Sequence, residues 1–566
     1  MQPLRKNWQI HPAVTPEAEQ ALNAYPPVLR QLLFNRDIYT PEAATRYLQA
    51  LDPPGTEPEN LLTMPVAVER IQAAVKNLET IAIYGDYDAD GVTATALLVS
   101  ALGRAGAHVT GYIPNRFDEG YGLNIEALTN LKAQGVNLVI TVDCGIRSIE
   151  EVAYARQIGL DLIISDHHHP AGEIPPALAI INPKQPGDTY PDKNLAGVGL
   201  AYKLATAVYE DPAQTADLLD LVAIGTVADL APLVGENRAL VRHGLEQIRK
   251  PRRQGLLALI GASGLRPDRI NASDIGYTLG PRLNAAGRLD SALAALELLL
   301  SQDVYAAASL AQKLDAQNRE RQQITREIQA QAEQIALAEN PDTLLLFAAD
   351  PGFNPGVVGL AASRLTDVYY RPAIVAAYGE QTTRGSCRSI PEFHITDALD
   401  RCADLLIRHG GHAAAAGFTV RNENLPELRR RLQEIAEQEL GGLLLRPVLH
   451  ADMQIPLSEL KPELLSYIED LQPTGFGNRQ AHFISCDLKP VSYRRIGKDG
   501  KHLRLAVTDG RITYDAVAFN QGNWADDMPA HIDIYYSFEL NEFNGRTSLQ
   551  LNVRDLKPAG WGEGFS

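Results

Sequence analysis

Short apolar runs that end in aspartate set the rhythm of the chain between residues 80 and 170. TIAIYGDYDADG, VNLVITVDCG and LDLIISDHHHP each begin as a β-branched apolar run and stop on an acidic residue. Helix-like segments at 92–104, 124–134 and 148–158 lie between or after them, and the last pairs Ser148 with Glu151 at capping-box spacing. Runs that are apolar at every position and alternate with helices predict an α/β parallel sheet covered on both faces. Upstream, to about residue 55, short helices are separated by prolines, with LDPPGTEP as a loop. Residues 301–339 read as one long helix whose middle, LDAQNRERQQ, is polar nearly all round, as expected where a helix crosses solvent. A second α/β pattern opens at TLLLFAAD and closes near Gly441-Gly442. From about residue 445, five short strand patterns with glycine and asparagine turns predict a small β-barrel. The expected domains are therefore 1–55 (helical), 56–300 (parallel sheet), 301–340 (connecting helix), 341–442 (smaller α/β) and 443–566 (barrel).

Composition agrees with several folded domains: 566 residues exceed what one core supports, and 45% hydrophobic with 21% charged residues is an ordinary globular balance. The chain carries no apolar run of spanning length and no charged-then-apolar leader, so a soluble, unexported protein is expected. Cys144, Cys387, Cys402 and Cys486 form no CxxC pair, which disfavours a disulfide framework or a structural zinc site and favours the cytoplasm. The net charge of −17 argues against nucleic acid unless basic residues gather on one face or divalent metals neutralise part of the acidic excess.

The acidic residues sit where chemistry is expected. Open α/β sheets bind ligands beyond the carboxyl ends of their strands, and Asp86, Asp88, Asp90, Asp143 and Asp166 to His168 all follow such ends. A single aspartate there is commonly a cap or turn residue. Three converging ends are different, because uncompensated buried carboxylates cost several kcal/mol each. Carboxylates suit Mg²⁺ or Mn²⁺, and added imidazole tips the preference toward Mn²⁺. Asp229 is a fourth candidate, placed after an apolar run from Leu218 that is expected to break at Gly225-Thr226. Side chains of adjacent residues diverge, so one of His167 and His168 would ligate metal while the other faces substrate or supports the ligands.

GDYDADG, VDCG, SDHHHP and GTVADL, in that order, resemble the four motifs of the DHH phosphoesterase superfamily, and GGHAAAAG resembles the signature of its associated second domain. Within that superfamily, GDYDADGVTAT, GPRLNAAGR and the trailing barrel make the chain similar to the bacterial 5′→3′ exonucleases specific for single-stranded DNA. The resemblance implies a parallel-sheet DHH domain, a long connecting helix, a smaller DHH-associated domain and a C-terminal OB-fold barrel. It also implies a two-metal site for Mn²⁺ or Mg²⁺ in which Asp88, Asp90, Asp143, His167 and Asp229 match the ligands, Asp86 and His168 completing the catalytic set. Single-stranded DNA is the implied partner, with single-strand-binding protein and a helicase as further candidates and no membrane.

For gripping the strand, Arg384, Ser386 and Arg388 surround a glycine in RGSCRS and suit bidentate phosphate contacts. Gly411 and His412 of GGHAAAAG would let a strand approach closely, and Arg116, Arg282, Asn284 and Arg288 are further candidates. For each arginine the competing use is a surface ion pair. SYRRIGKDGKHLRL gathers basic residues on a hairpin beside Tyr493 and Tyr514, which suits stacking and phosphate attraction or the protection of a barrel edge. Two other functions fit the motifs less well: a phosphodiesterase for short oligonucleotides or cyclic dinucleotides, which would not need the barrel, and a metal-free replication scaffold, which would not need the carboxylates.

Overall fold

The computed structural model describes residues 6–115, 119, 122–209, 211–289, 291–543 and 546–560. The chain forms two compact units, one of Trp8–Asp315 with His450–Ser566 and one of Ala316–Leu449 with Met1–Asn7.

In the first unit a five-stranded parallel sheet runs in the order His108–Tyr112, Thr80–Gly85, Val136–Val142, Asp161–Ser165, Ala179–Ile181. Because all pairings are parallel, every carboxyl end lies on the same edge. Alternate residues serve opposite faces. Ile81, Ile83, Leu138 and Ile140 pack with the helices Ala89–Arg104 and Gly197–Tyr209, whereas Ala82, Tyr84, Val139 and Ile164 pack with Ile125–Ala133 and Ile149–Gln157. The edge strand His108–Tyr112 was not expected: HVTGY is half-exposed and lacks an apolar run. Ser148 precedes the helix Ile149–Gln157, but its side chain caps no backbone N–H, so the capping box is not formed.

The helix Leu219–Ala228 runs straight through Gly225-Thr226 instead of breaking there. A Cβ at Gly225 would lie 2.3 Å from Thr93 Oγ1 and 2.8 Å from Asp90 Oδ1, so this glycine permits close helix packing rather than a turn.

The barrel consists of Phe483–Ile496, His502–Thr508, Thr513–Ala518, Arg546–Pro558 and Ile532–Phe543, closed by pairing of the first with the last. Its core of Phe483, Leu503, Leu505, Tyr536 and Phe538 continues into Leu29, Leu32 and Leu33 of the helix Pro27–Phe34, so the N-terminal helices and the barrel share one core.

The helix Val304–Leu337 is not solvated all round. Leu314, Asn318, Thr325 and Ile328 are buried at spacings of three to seven residues, a stripe that its polar composition conceals. In the second unit a five-stranded sheet is ordered Leu406–His412, Ala415–Arg421, Thr382–Arg388, Ala373–Tyr378, Leu346–Asp350, parallel only in the last pairing. Phe347, Ile374 and Cys387 face the helix Leu425–Leu440, and Leu346, Ala348 and Val375 face Val358–Tyr369.

Candidate metal centre and strand-binding surfaces

The chain leaves Thr80–Gly85 at Asp86, and Asp88 then caps the helix Ala89–Arg104, its Oδ1 accepting from the N–H groups of Asp90 (2.9 Å) and Gly91 (3.1 Å). A Cβ on Gly91 would come within 2.5 Å of the Asp86 backbone, so the glycine lets the aspartate loop fold back onto its own helix. The helix Gly280–Leu289 backs the same loop: Asn284 Oδ1 accepts from Ala89 N–H at 2.7 Å, and a Cβ on Gly287 would lie 2.5 Å from the Tyr87 carbonyl oxygen. Gly287→Val should cost about 1–3 kcal/mol of stability by overpacking and slow catalysis by displacing the loop. Urea unfolding alongside nuclease rates checks both. Asp143 adopts φ 61° and Gly145 φ 109°, so the chain reverses directly after Val136–Val142. A non-glycine residue held there is strained, as is common at functional sites.

These loops bring the seven expected catalytic residues together. Single donor atoms within 4.8 Å of one another define three groups: Asp86, Asp88 and Asp143; Asp90, His167 and Asp229; and Asp143, His167 and His168. Asp143 and His167 each belong to two groups, so the three groups are linked in a row through these two residues. His167 Nε2 lies 3.0 Å from Asp143 Oδ1, 3.7 Å from Asp229 Oδ2 and 4.0 Å from Asp90 Oδ2. Despite that 3.0 Å approach, neither His167 Nε2 nor Asp143 Oδ1 has a partner in hydrogen-bonding geometry, and both atoms are buried. Buried polar atoms without partners are rare. Two such atoms side by side among carboxylates fit donors to hard divalent cations.

Electrostatics points the same way. Burial, then the nearby Asp88, pushes Asp90 up to about 7. Burial and Asp90 push Asp229 up to about 9, and burial with Asp88 and Asp90 holds Asp143 well above the usual carboxylate range. Burial lowers His167 to about 3, leaving a neutral imidazole suited to ligation. Without positive charge this pocket retains protons, and a cation removes the reason to retain them.

Supports that the sequence did not reveal hold the donors. The N–H groups of Gly197 and Val198 donate to Asp90 Oδ2 and Oδ1 at 2.7 and 2.9 Å, at the start of a helix. The glycines of AGVG were the available signal: a Cβ on Gly197 would lie 2.8 Å from Asp143 Cβ. Asp166 accepts from Ile146 N–H (2.9 Å) and His168 N–H (3.0 Å), and its Oδ1 lies 2.7 Å from His168 Nδ1. Asp166 therefore orients His168. Burial opposes protonation of His168, but Asp166, Asp86 and Asp88 together outweigh it and raise the pKa. Lys184 Nζ and Asn182 Nδ2 donate to the His167 and His168 carbonyls at 2.6 and 2.9 Å.

The strand-gripping candidates divide. Along Thr382–Arg388, Thr383, Gly385 and Cys387 are buried, which places Arg384, Ser386 and Arg388 together on the other face. Arg388 Nη1 donates to Ser386 Oγ (3.2 Å) and the Cys387 carbonyl (2.7 Å), and a Cβ on Gly359, in the first turn of Val358–Tyr369, would lie 3.1 Å from Arg388 Nη2. A guanidinium, a hydroxyl and a helix N-terminus thus meet, an arrangement suited to an anion. Gly411, at φ 152°, is packed against the facing strand, where a Cβ would strike the Ala415 carbonyl oxygen at 2.3 Å, whereas His412 is exposed. Arg282 pairs with Asp315 at 2.9 Å and donates to the Thr278 carbonyl, Asn284 supports the aspartate loop, and Arg288 is partly exposed. Arg116 lies outside the described residues.

On the barrel, Arg494 stands directly opposite Arg504, both exposed, with exposed Tyr493 beside them. Like charges directly across a sheet are unfavourable, and Asp515 Oδ2, 3.5 Å from Arg504 Nη2, offsets part of that repulsion. Tyr514 is withdrawn from that surface: its hydroxyl donates to the Leu460 carbonyl and its ring meets Phe538 edge-on. Among the described residues no helix is long and apolar enough to cross a membrane, and all four cysteines are free.

Comparison with known proteins agrees with this organisation. Residues 80–226 match the DHH family N-terminal domain, 342–438 the DHHA1 domain and 451–555 the RecJ OB domain. The single-stranded-DNA-specific exonuclease RecJ of Bacillus subtilis is 40% identical over 539 residues, covering 94% of this chain and 68% of its own. RecJ of Salmonella typhimurium is 36% identical over 561 residues, covering 94% of this chain and 96% of its own. The crystal structure of Thermus thermophilus RecJ in complex with Mn²⁺ superposes with a TM-score of 0.85 at 29% identity over 99% of this chain and 80% of that one. The Mg²⁺ complex of the same protein gives 0.77 at 28% identity, over 98% and 79%.

Proposed function

The chain belongs to the RecJ family of single-stranded-DNA-specific exonucleases, and from that premise we propose that it hydrolyses single-stranded DNA from the 5′ end, releasing 5′-mononucleotides, with two Mn²⁺ or Mg²⁺ ions. The observation that carries the reading is the row of three donor groups linked through Asp143 and His167. Asp88, Asp90, Asp143, His167 and Asp229 are the proposed ligands, with Asp86 beside them. Bound divalent cations supply Lewis acidity toward the phosphate and lower the pKa of water.

The chain's own groups do the positioning. The amides of Gly197 and Val198 fix the Asp90 carboxylate so that its lone pairs stay directed inward. Asp166 holds Nδ1 of His168, and the raised pKa of this imidazole favours an imidazolium that donates to a phosphate oxygen. Arg388, Ser386 and the first turn of Val358–Tyr369 are the proposed phosphate grip, with Arg384 and His412 beside them. Arg494, Arg504 and Tyr493 are proposed to hold the strand by phosphate attraction and stacking. The barrel favours long strands over cyclic dinucleotides. A strand end must first be exposed, so a helicase and single-strand-binding protein are the proposed partners, in repair and recombination in the cytoplasm.

Polarity is tested with single-stranded DNA labelled at either end and incubated with protein and Mn²⁺. The 5′ label is expected to appear at once as mononucleotide while 3′-labelled strands shorten stepwise. Immediate mononucleotide from the 3′ label would overturn the polarity, and intact strands would overturn the activity.

A further inference from the structure

The segment Pro232 to Arg238 follows Asp229 directly and contains three buried polar residues in a row, Glu236, Asn237 and Arg238. Such groups are seldom buried without a specific partner. Glu236 is matched by Lys203 and by the Tyr190 hydroxyl at 2.6 Å. The other two connect more distant parts of the fold.

Asn237 joins two metal-site supports. Its Nδ2 donates to the Asn194 carbonyl at 2.6 Å and to the Pro232 carbonyl at 3.2 Å, and its Oδ1 accepts from Ala196 N–H at 3.4 Å. Residues 194–196 lead straight into the Gly197 and Val198 amides that hold Asp90, and Pro232 lies three residues after Asp229. One carboxamide therefore fixes the spacing between the support of Asp90 and the turn that presents Asp229.

Arg238 ties the same segment to the barrel side of this unit. Its guanidinium donates to the carbonyls of Tyr47 (3.2 Å), Asp470 (3.1 Å), Leu471 (2.9 Å) and Pro473 (3.2 Å), and lies 3.9 Å from the centre of the Tyr47 ring. The loop after Pro473 then touches the Asp229 turn itself. Leu233 N–H donates to the Phe476 carbonyl at 2.7 Å, and a Cβ on Gly477, at φ 74°, would lie 2.9 Å from Pro232 Cβ.

We propose that Asn237 is a positioning residue for the metal centre, and that the 475–477 loop of the barrel domain, anchored through Arg238, completes that positioning by seating the Asp229 turn. The inference rests on the metal-site reading above. It differs from it in assigning part of the cation affinity to residues that touch no cation, including residues in a different domain. Groups that orient metal ligands typically change metal affinity by about 10–100-fold when removed.

The test measures Mn²⁺ binding by calorimetry on the full chain, below the melting temperature of every variant. Asn237→Ala and Gly477→Val are each expected to weaken Mn²⁺ binding by about 10-fold or more while remaining folded. Ser485→Ala is the control: it removes a buried hydroxyl bonded to the Ile455 carbonyl and the Tyr536 hydroxyl inside the barrel, and should lower the melting temperature without changing Mn²⁺ affinity. Wild-type affinity in folded Asn237→Ala and Gly477→Val would overturn the proposal, as would an equal loss in the control. A wild-type chain that binds no Mn²⁺ would instead overturn the metal-site reading, which keeps the two failures distinct.

Discussion

Asp143→Asn and Asp143→Ala are both expected to lose hydrolysis of single-stranded DNA by on the order of 10³-fold or more, equivalent to about 4 kcal/mol of transition-state stabilisation. Asp143 is the carboxylate shared between two donor groups, so its removal weakens both halves of the site at once. The pair of variants separates charge from backbone. Asparagine tolerates the left-handed conformation that Asp143 adopts at φ 61°, whereas alanine adds strain there. Equal inactivity with a less stable alanine variant assigns the effect to the lost charge. Neither variant should unfold the metal-free protein, because each removes a carboxylate that burial and its acidic neighbours disfavour. Nucleotide release with Mn²⁺ and thermal melts in chelator check the two halves. Activity surviving Asp143→Asn would remove Asp143 from the mechanism.

Stripped of divalent ions, the protein is expected to lose stability as pH rises from about 5 to 9, on the order of a few kcal/mol in total. The sign follows from the carboxylates. Unfolded aspartates give up their protons near pH 4, whereas Asp90 holds its proton to about 7 and Asp229 to about 9 because of burial and neighbouring charge. Between those values the folded state binds more protons than the unfolded state, so stability falls with pH. Divalent cations replace the protons, so their affinity should rise over the same window and their stabilisation with it. Calorimetric melts at pH 5.5 and 8, with chelator or with Mn²⁺, should show a gap that widens at the higher pH. Parallel curves would mean that metal binding displaces no protons from these carboxylates.

Much of the site was legible because parallel strands impose a simple rule. A run apolar on every position must be covered on both faces, and the polar residues that follow it must gather at one edge. Asp86 to Asp90, Asp143 and His167 to His168 are therefore legible in the sequence as one cluster. The errors share a different origin. Gly225 reads as a helix break but serves close packing, and only the neighbouring chain distinguishes those uses. Arg282 pairs with Asp315 and Asn284 accepts from the helix that carries Asp90, contacts that residue type alone does not reveal. The burial of Asn318 and Thr325 in a helix of polar composition was equally hidden.

The sequence by itself determined the order of the domains, the acidic and imidazole donors and the basic hairpin, because each depends on residue type and on periods of two or 3.6 residues. Tertiary structure alone decided that the Gly197 and Val198 amides hold Asp90, that Asn237 ties the Asp229 turn to the Asn194 carbonyl, and that Arg238 ties it to the barrel side through the Leu471 carbonyl. Those relations join residues from tens to hundreds of positions apart. Local periodicity carries no information about such distances, and the pairing becomes visible only when buried donors must each find an acceptor.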